Sequence, residues 1–462
     1  MKKNTLHKNI VALLLMVTLP INMIACSPDM GELNGNLYSE HIANPDRSPF
    51  EGETLTIATS LYGFLLRPFA DKYMRANPGV SIEVIDYNDD FRLDGNLERI
   101  QQEISAQLMA NTGPVLMDGT LVDYLDPRSI HYFTDWFPIM DADPDFKEED
   151  WFMNVFRATA VNGRLHAFPT TFSYYYVTVN SAIHELSETV AGRDGITMPR
   201  LMELYREIKT NPQLFFEPYF GVDWVIGFYI DNFVDLENRW VNFSDEFVDF
   251  IVYAEDMTSP DRDVWYQAPL SAEKDAYWSG KYYFWFSEPS WFYQYFVNHS
   301  VQRYFTGSAT PIVNNGGELM ISLQEHYVLS ANASPSEQAL AWDFIKFMMK
   351  PENQSSISVI QPTNRTLLRF SVEQYLRQLN TDGSWRISGS FDDAVESAVI
   401  QLTAFGEMPM QNMRSLPDVI IGRNGAIPQA LQLFLDGLVS AEQTAANLQN
   451  QVELVLMEID VR

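Results

Sequence analysis

The spacing of apolar and polar positions predicts an alternation of strands and helices from Leu55 onward. Leu55-Thr56-Ile57-Ala58 reads as a short strand, followed by a turn over Ser60 to Gly63. Leu65, Phe69, Tyr73 and Met74 recur at helical spacing, and the run stops at Asn77-Pro78-Gly79. Val80, Ile82 and Val84 then alternate as a second strand. Strand, helix and strand in that order imply a parallel pair and an α/β fold. Leu97, Ile100, Ile104 and Leu108 predict another amphipathic helix, ended by Asn111-Thr112-Gly113-Pro114, and Val115-Leu116-Met117 reads as a buried strand. Asp118-Gly119-Thr120 lies just past that strand's carboxyl end, where ligands gather in open α/β sheets. The C-terminal part is mainly helical, with stripes at Ala341, Ile345 and Met348 and at Leu448, Val452, Val455 and Ile459. There is no internal repeat and no low-complexity tract.

The first residues follow a different pattern. Lys2, Lys3 and Lys8 precede an apolar stretch from Ile10 to Ile21, shorter than the roughly 20 residues of a membrane-spanning helix. This predicts a secretory signal over 1–25. Residues 26–52 are rich in Gly, Pro, Asn, Asp and Ser and lack periodicity, so they are expected to form a flexible tether.

Composition narrows the function classes. The chain has 462 residues, 31 Lys and Arg against 61 Asp and Glu, and a net charge of −30, deepening to −33 without Lys2, Lys3 and Lys8. A phosphate polyanion needs a basic face, so nucleic acid is excluded as a partner. With 46% hydrophobic residues an ordinary core is expected, and about 150 residues per domain gives two or three lobes. The one cysteine excludes an internal disulfide framework and a Cys-rich zinc site. Aromatic residues are abundant, with 30 Phe, 22 Tyr and 10 Trp.

Catalytic and metal motifs are missing. Asp141, Asp143 and Asp145 start like a calcium loop, but Phe146 stands where Gly is needed and Phe152 where Glu is needed, so a solvated acidic loop is expected. The seven histidines never fall at metal-binding spacing. No Gly-x-Ser-x-Gly, P-loop or Gly-x-Gly-x-x-Gly occurs, so no cofactor is implied. With 61 acids, pairs of carboxylates carry no information about glycoside hydrolysis.

A family resemblance emerges from segments in order along the chain. Phe69 to Val84 (FADKYMRANPGVSIEV), Gln107 to Met117 (QLMANTGPVLM) and Asn162 to Pro169 (NGRLHAFP) resemble segments of the extracellular solute-binding proteins of bacterial ABC importers, the group that mostly carries sugars. So do Tyr175 to Asn180, Ser279 to Trp291, Ala339 to Phe347 with Pro351 to Gln354, and Leu435 to Leu456. The chain departs from the pattern in Val179, where Tyr is usual, and in Glu288-Pro289-Ser290-Trp291, which lacks the usual Gly. Met23-Ile24-Ala25-Cys26 resembles a lipobox, which implies lipid attachment at Cys26 and a membrane anchor.

The resemblance implies a two-lobed periplasmic-binding-protein fold of type II, with discontinuous lobes joined by hinge crossovers. Lobe one is expected over 53–170 and 297–350, and lobe two over 171–296 and 351–462. It also implies a non-enzymatic, monomeric receptor outside the cytoplasm that delivers its solute to ABC permease subunits. Carbohydrate suits the composition, since aromatic faces stack on sugar C–H faces while carboxylates and amides bind the hydroxyl rim. An aromatic residue in a strand is more often core than platform, and Trp285 and Phe286 are read as core. Ligand contacts carried over from the family are Tyr62, Asp118, Tyr175, Trp224, Trp291 and Arg414. The alternatives are the same fold with a non-sugar solute, a secreted glycan-active enzyme, or an adhesion protein.

Overall fold

The computed structural model describes residues 49–60, 63–87, 96–180, 195–209, 215–217, 227, 229–236, 238–257, 282–287, 307–354, 360–381, 390–413, 416–421 and 425–460. In chain order the strands are β1 (Thr54–Thr59), β2 (Ser81–Asp86), β3 (Leu116–Asp118), β4 (Ala167–Pro169), β5 (Thr171–Tyr174), β6 (Tyr176–Asn180), β7 (Ile196–Thr197), β8 (Phe215–Glu217), β9 (Val234–Asp235), β10 (Trp240–Val241), β11 (Tyr282–Ser287), β12 (Gly307–Val313), β13 (Leu319–Leu323), β14 (His326–Leu329), β15 (Gln361–Pro362) and β16 (Met410–Asn412). They form a sheet in the order β2-β1-β3-β14-β4 and a larger one in the order β15-β5-β13-β12-β6-β11-β8, with β16 beside β13 and β7 beside β12. A separate ribbon joins β9 and β10.

The opening unit is the expected one. β1 pairs in parallel with β2 and β3, while β14 runs antiparallel to β3 and β4. The connecting helix Gly63–Ala76 buries Leu66, Ala70 and Tyr73. After it, Gly79 takes a φ of +90°, which glycine adopts without a Cβ penalty. The helix Asn96–Met109 buries Ile100, Ile104 and Leu108 as its stripe predicts, and Asn111 beyond it sits at a φ of 56°.

Alternate residues on each strand enter different cores, as a sheet covered on both faces requires. Leu55, Ile57, Leu116 and Leu329 join one hydrophobic cluster, and Ala58, Met117 and Val328 join another. The helix Pro335–Met348 packs Leu340, Ala341, Phe344, Ile345 and Met348 into the first of these. A capping box starts that helix: Ser334 Oγ accepts from the Glu337 N–H, and the Glu337 carboxylate accepts from the Ser334 N–H. The larger sheet is covered likewise. Leu319 and Ile321 face the first cluster, whereas Met320 and Ile312 face a third built with Leu201, Phe247, Leu431, Leu448 and Val452.

Among the described residues, three segments carry the chain between the sheets. The first leaves at Pro169 and enters the larger sheet at Thr171, and the second returns through Gln324-Glu325 between β13 and β14. The third enters at β15. Thr363 ties it to the first, its N–H donating to the Thr170 carbonyl at 2.9 Å and its hydroxyl to the Pro169 carbonyl at 2.8 Å. The return thus lies later than residue 297, which is itself outside the described residues. The helices Arg365–Thr381 and Phe391–Gly406 share the first cluster through Leu368, Val372, Ala398 and Leu402, because apolar surface on β5 and β13 faces that side.

Candidate functional site

The carboxyl ends of β1 and β3 lie side by side, since Ala58 pairs with Met117. Beyond them stand Ser60, fully buried, and Asp118, 6% exposed. One Asp118 oxygen accepts from the Ser60 N–H at 3.3 Å and the Ser60 hydroxyl at 2.8 Å. The other accepts from the Thr120 N–H at 3.0 Å and the Thr120 hydroxyl at 2.9 Å. The Ser60 and Thr120 hydroxyls are 2.8 Å apart. Asp118 therefore caps the short turn Gly119–Leu121 and fixes two hydroxyls at the end of the sheet.

His326 closes the side of this cluster. Its buried ring lies edge-on to Tyr124, with centroids 5.5 Å apart, and a Cβ on Gly119 would overlap it. Glycine is needed at 119 for this close approach.

Glu325 sits at the second crossover, beside the same cluster. Its carbonyl accepts from the Thr170 N–H at 2.9 Å, the Thr171 N–H at 3.2 Å and the Thr170 hydroxyl at 2.9 Å. Its own N–H donates to the Thr171 hydroxyl at 3.0 Å. Burial, with the Asp118 charge adding, pushes its carboxyl up to about 7. The side chain nevertheless keeps some contact with solvent. On the larger sheet the neighbouring surface is polar: Gln324 Nε2 donates to the Ser173 hydroxyl at 2.9 Å, and Ser173 pairs with Ser322 across the strands.

Of the ligand contacts expected from sequence, Asp118 lies at this junction. Tyr175 has no exposed surface and packs in the third cluster, its carbonyl accepting from the Ile312 N–H at 2.9 Å. Tyr62, Trp224, Trp291 and Arg414 lie outside the described residues, as does Cys26. Thr120 enters from sequence only as part of the Asp118-Gly119-Thr120 segment, and Ser60, Gln324 and Glu325 are not singled out there. A signal existed for the last two, a polar pair interrupting two apolar strand runs.

Asp143 belongs to the scaffold. Burial alone would raise its carboxyl, but donors from Lys346 Nζ (2.7 Å), the Asp145 N–H (3.0 Å) and Trp342 Nε1 (2.7 Å) outweigh it and hold it low. His166 is buried with Nδ1 3.2 Å from the Phe133 carbonyl, and burial lowers its pKa. Among the described residues no three His, Cys, Asp or Glu side chains converge as a metal site would need.

The family described as bacterial extracellular solute-binding protein matches residues 69–365. No curated protein matches the chain. Among solved structures, the sugar-binding protein MalE from the phytopathogen Xanthomonas citri is similar, with a TM-score of 0.55 at 14% identity over 88% of this chain and 98% of that one. An ABC transporter solute-binding protein from Agrobacterium radiobacter K84, in complex with ribitol, gives 0.51 at 14% identity over 88% and 100%. Maltose-bound T. maritima MalE3 gives 0.50 at 15% identity over 87% and 100%. At these identities the likeness shows a shared fold, the two-lobed fold of periplasmic binding proteins.

Proposed function

The chain belongs to the bacterial extracellular solute-binding protein family, and from that premise we propose that it is a lipid-anchored receptor capturing a sugar or oligosaccharide between two lobes. The observation that carries this is the junction itself. Among the described residues three crossovers link two sheets, and the partly exposed Thr120, Gln324 and Glu325 lie beside them, with the buried Ser60 hydroxyl 2.8 Å from that of Thr120. Crossovers of this kind are where two lobes hinge, and partly exposed polar side chains beside them suit a hydroxyl-rich solute. Capture needs no covalent chemistry. Solute bound more tightly by the closed arrangement shifts the population toward it, and the closed form is then delivered to ABC permease subunits.

Anchoring at Cys26, after removal of 1–25, keeps the monomeric receptor at the outer face of the membrane, with 26–52 as tether. Lobe one begins at 53 and ends at 170, and lobe two begins at 171. The return at 324–325 supports carrying β12 and β13 with lobe two, and the packing of 365–410 beside β5 and β13 supports keeping those helices in that lobe. Tyr62, Trp224, Trp291 and Arg414 are the proposed solute contacts. Asp118 contributes by holding Ser60 and Thr120, and Tyr175 packs in the third cluster with no exposed surface.

A thermal-shift panel of maltose, malto-oligosaccharides and ribitol on the mature protein tests the reading. Solute at 100 times its Kd stabilises by about 2.7 kcal/mol, which is readily measured. Trp224→Ala and Trp291→Ala are expected to abolish the shift while leaving the unliganded melt in place. A shift retained in both variants refutes those contacts, and a response to peptides or amines alone refutes the sugar.

A further inference from the structure

Glu325 has its main chain locked and its side chain uncommitted. Four hydrogen bonds to Thr170 and Thr171 fix the backbone, and among the described residues no donor reaches its carboxyl. The groups around it are these. From the end of β3, the Asp118 carboxylate acts on it through space. The Thr170-Thr171 and Gln361–Thr363 segments bring only neutral side chains. Next to it in sequence, the His326 ring turns to Gly119 and Tyr124.

Asp118 cannot complete the pair, because four donors already occupy its two oxygens. Nor is a cation site built there, since a metal would need ligands that Asp118 no longer offers. Among the described residues what Glu325 lacks is a hydrogen-bond donor, and it sits, partly exposed, at the second crossover between the sheets. A charged acceptor binding a hydroxyl makes a stronger bond than a neutral one. That preference favours the ionised carboxylate in the complex over the protonated acid of the empty site.

We propose that Glu325 accepts a hydrogen bond from a hydroxyl of the captured solute at the cleft floor, and that capture is thereby coupled to release of one proton to solvent. The inference rests on reading the chain as a carbohydrate receptor. In the step, the Glu325 O–H bond breaks, its proton goes to buffer, and the carboxylate takes the solute hydroxyl; nothing is oxidised or reduced.

Calorimetric titration of the whole mature protein with maltose, malto-oligosaccharides and ribitol, in two buffers of different ionisation enthalpy, counts the protons released. If binding restores an ordinary carboxylate pKa, about 0.9 proton is released near pH 6 and about 0.1 near pH 8, with affinity about ten-fold tighter at the higher pH. Glu325→Gln is expected to weaken binding and to remove both the proton release and the pH slope. Binding without proton release near pH 6, or an unchanged slope in Glu325→Gln, overturns the role of Glu325 and leaves the receptor reading standing. No binding of any of these solutes at either pH overturns the carbohydrate reading, and this inference with it.

Discussion

At the scale of single residues, the junction is an exercise in satisfying buried polar groups. Asp118 is nearly sealed, yet four donors neutralise the cost of burying it. Asp118→Ala strands those donors, and a loss of about 2–4 kcal/mol is expected in chemical denaturation, with Ser60 and Thr120 freed from their positions. A loss below half a kilocalorie would mean that water replaces the carboxylate without difficulty. Glu325 is the opposite case, a carboxyl that burial drives toward its protonated form. An acid whose folded pKa exceeds its unfolded value contributes fully below the unfolded pKa and costs stability as pH rises through the folded one. That window runs from about 4.5 to about 7. Glu325→Gln is therefore expected to raise the melting temperature at about pH 8 and to have little effect at about pH 5. An equal change at both values contradicts the placement of this carboxyl.

At the scale of elements, local signals and tertiary demands mostly agree. Asn162-Gly163 forms the hairpin expected of it: Val161 and Arg164 exchange two hydrogen bonds, and both central residues have positive φ, 50° and 74°. That pair of angles defines a type I′ turn. A Cβ on Gly163 would meet no other atom, so the cost of Gly163→Ala is conformational alone. About 1 kcal/mol of destabilisation is expected from equilibrium unfolding, and a neutral result would show that the turn relaxes to another type. The first β-α-β unit, its stop signals and the C-terminal stripes were legible for the same reason: each is set by spacing within a dozen or so residues. Sheet membership of β12, β13, β15 and β16 was not, because their partners are distant in sequence and pattern carries no address.

At the scale of the whole molecule, function depends on how the two sheets are joined. The crossovers at Thr170, Gln324-Glu325 and β15 carry the chain between them. Away from the junction, Arg128 is held above its ordinary pKa first by the Asp126 hydrogen bonds, with Glu458 of the C-terminal helix Ala441–Asp460 adding its charge. A loop near β3 and the last helix thus face one another electrostatically. The place of Asp118 at the carboxyl end of β3 could be read in advance, because the strand and its stop signal lie within a few residues. Glu325 could not, because its role comes from three crossovers converging rather than from any motif in which it sits. The central claim is reversible capture of an intact carbohydrate. Equilibrium dialysis of the mature protein against labelled maltose, malto-oligosaccharides and ribitol tests it most directly. The account predicts retention of one solute per chain, recovered chemically unchanged after the protein is unfolded; no retention of any of them, or recovery of cleaved products, would contradict it.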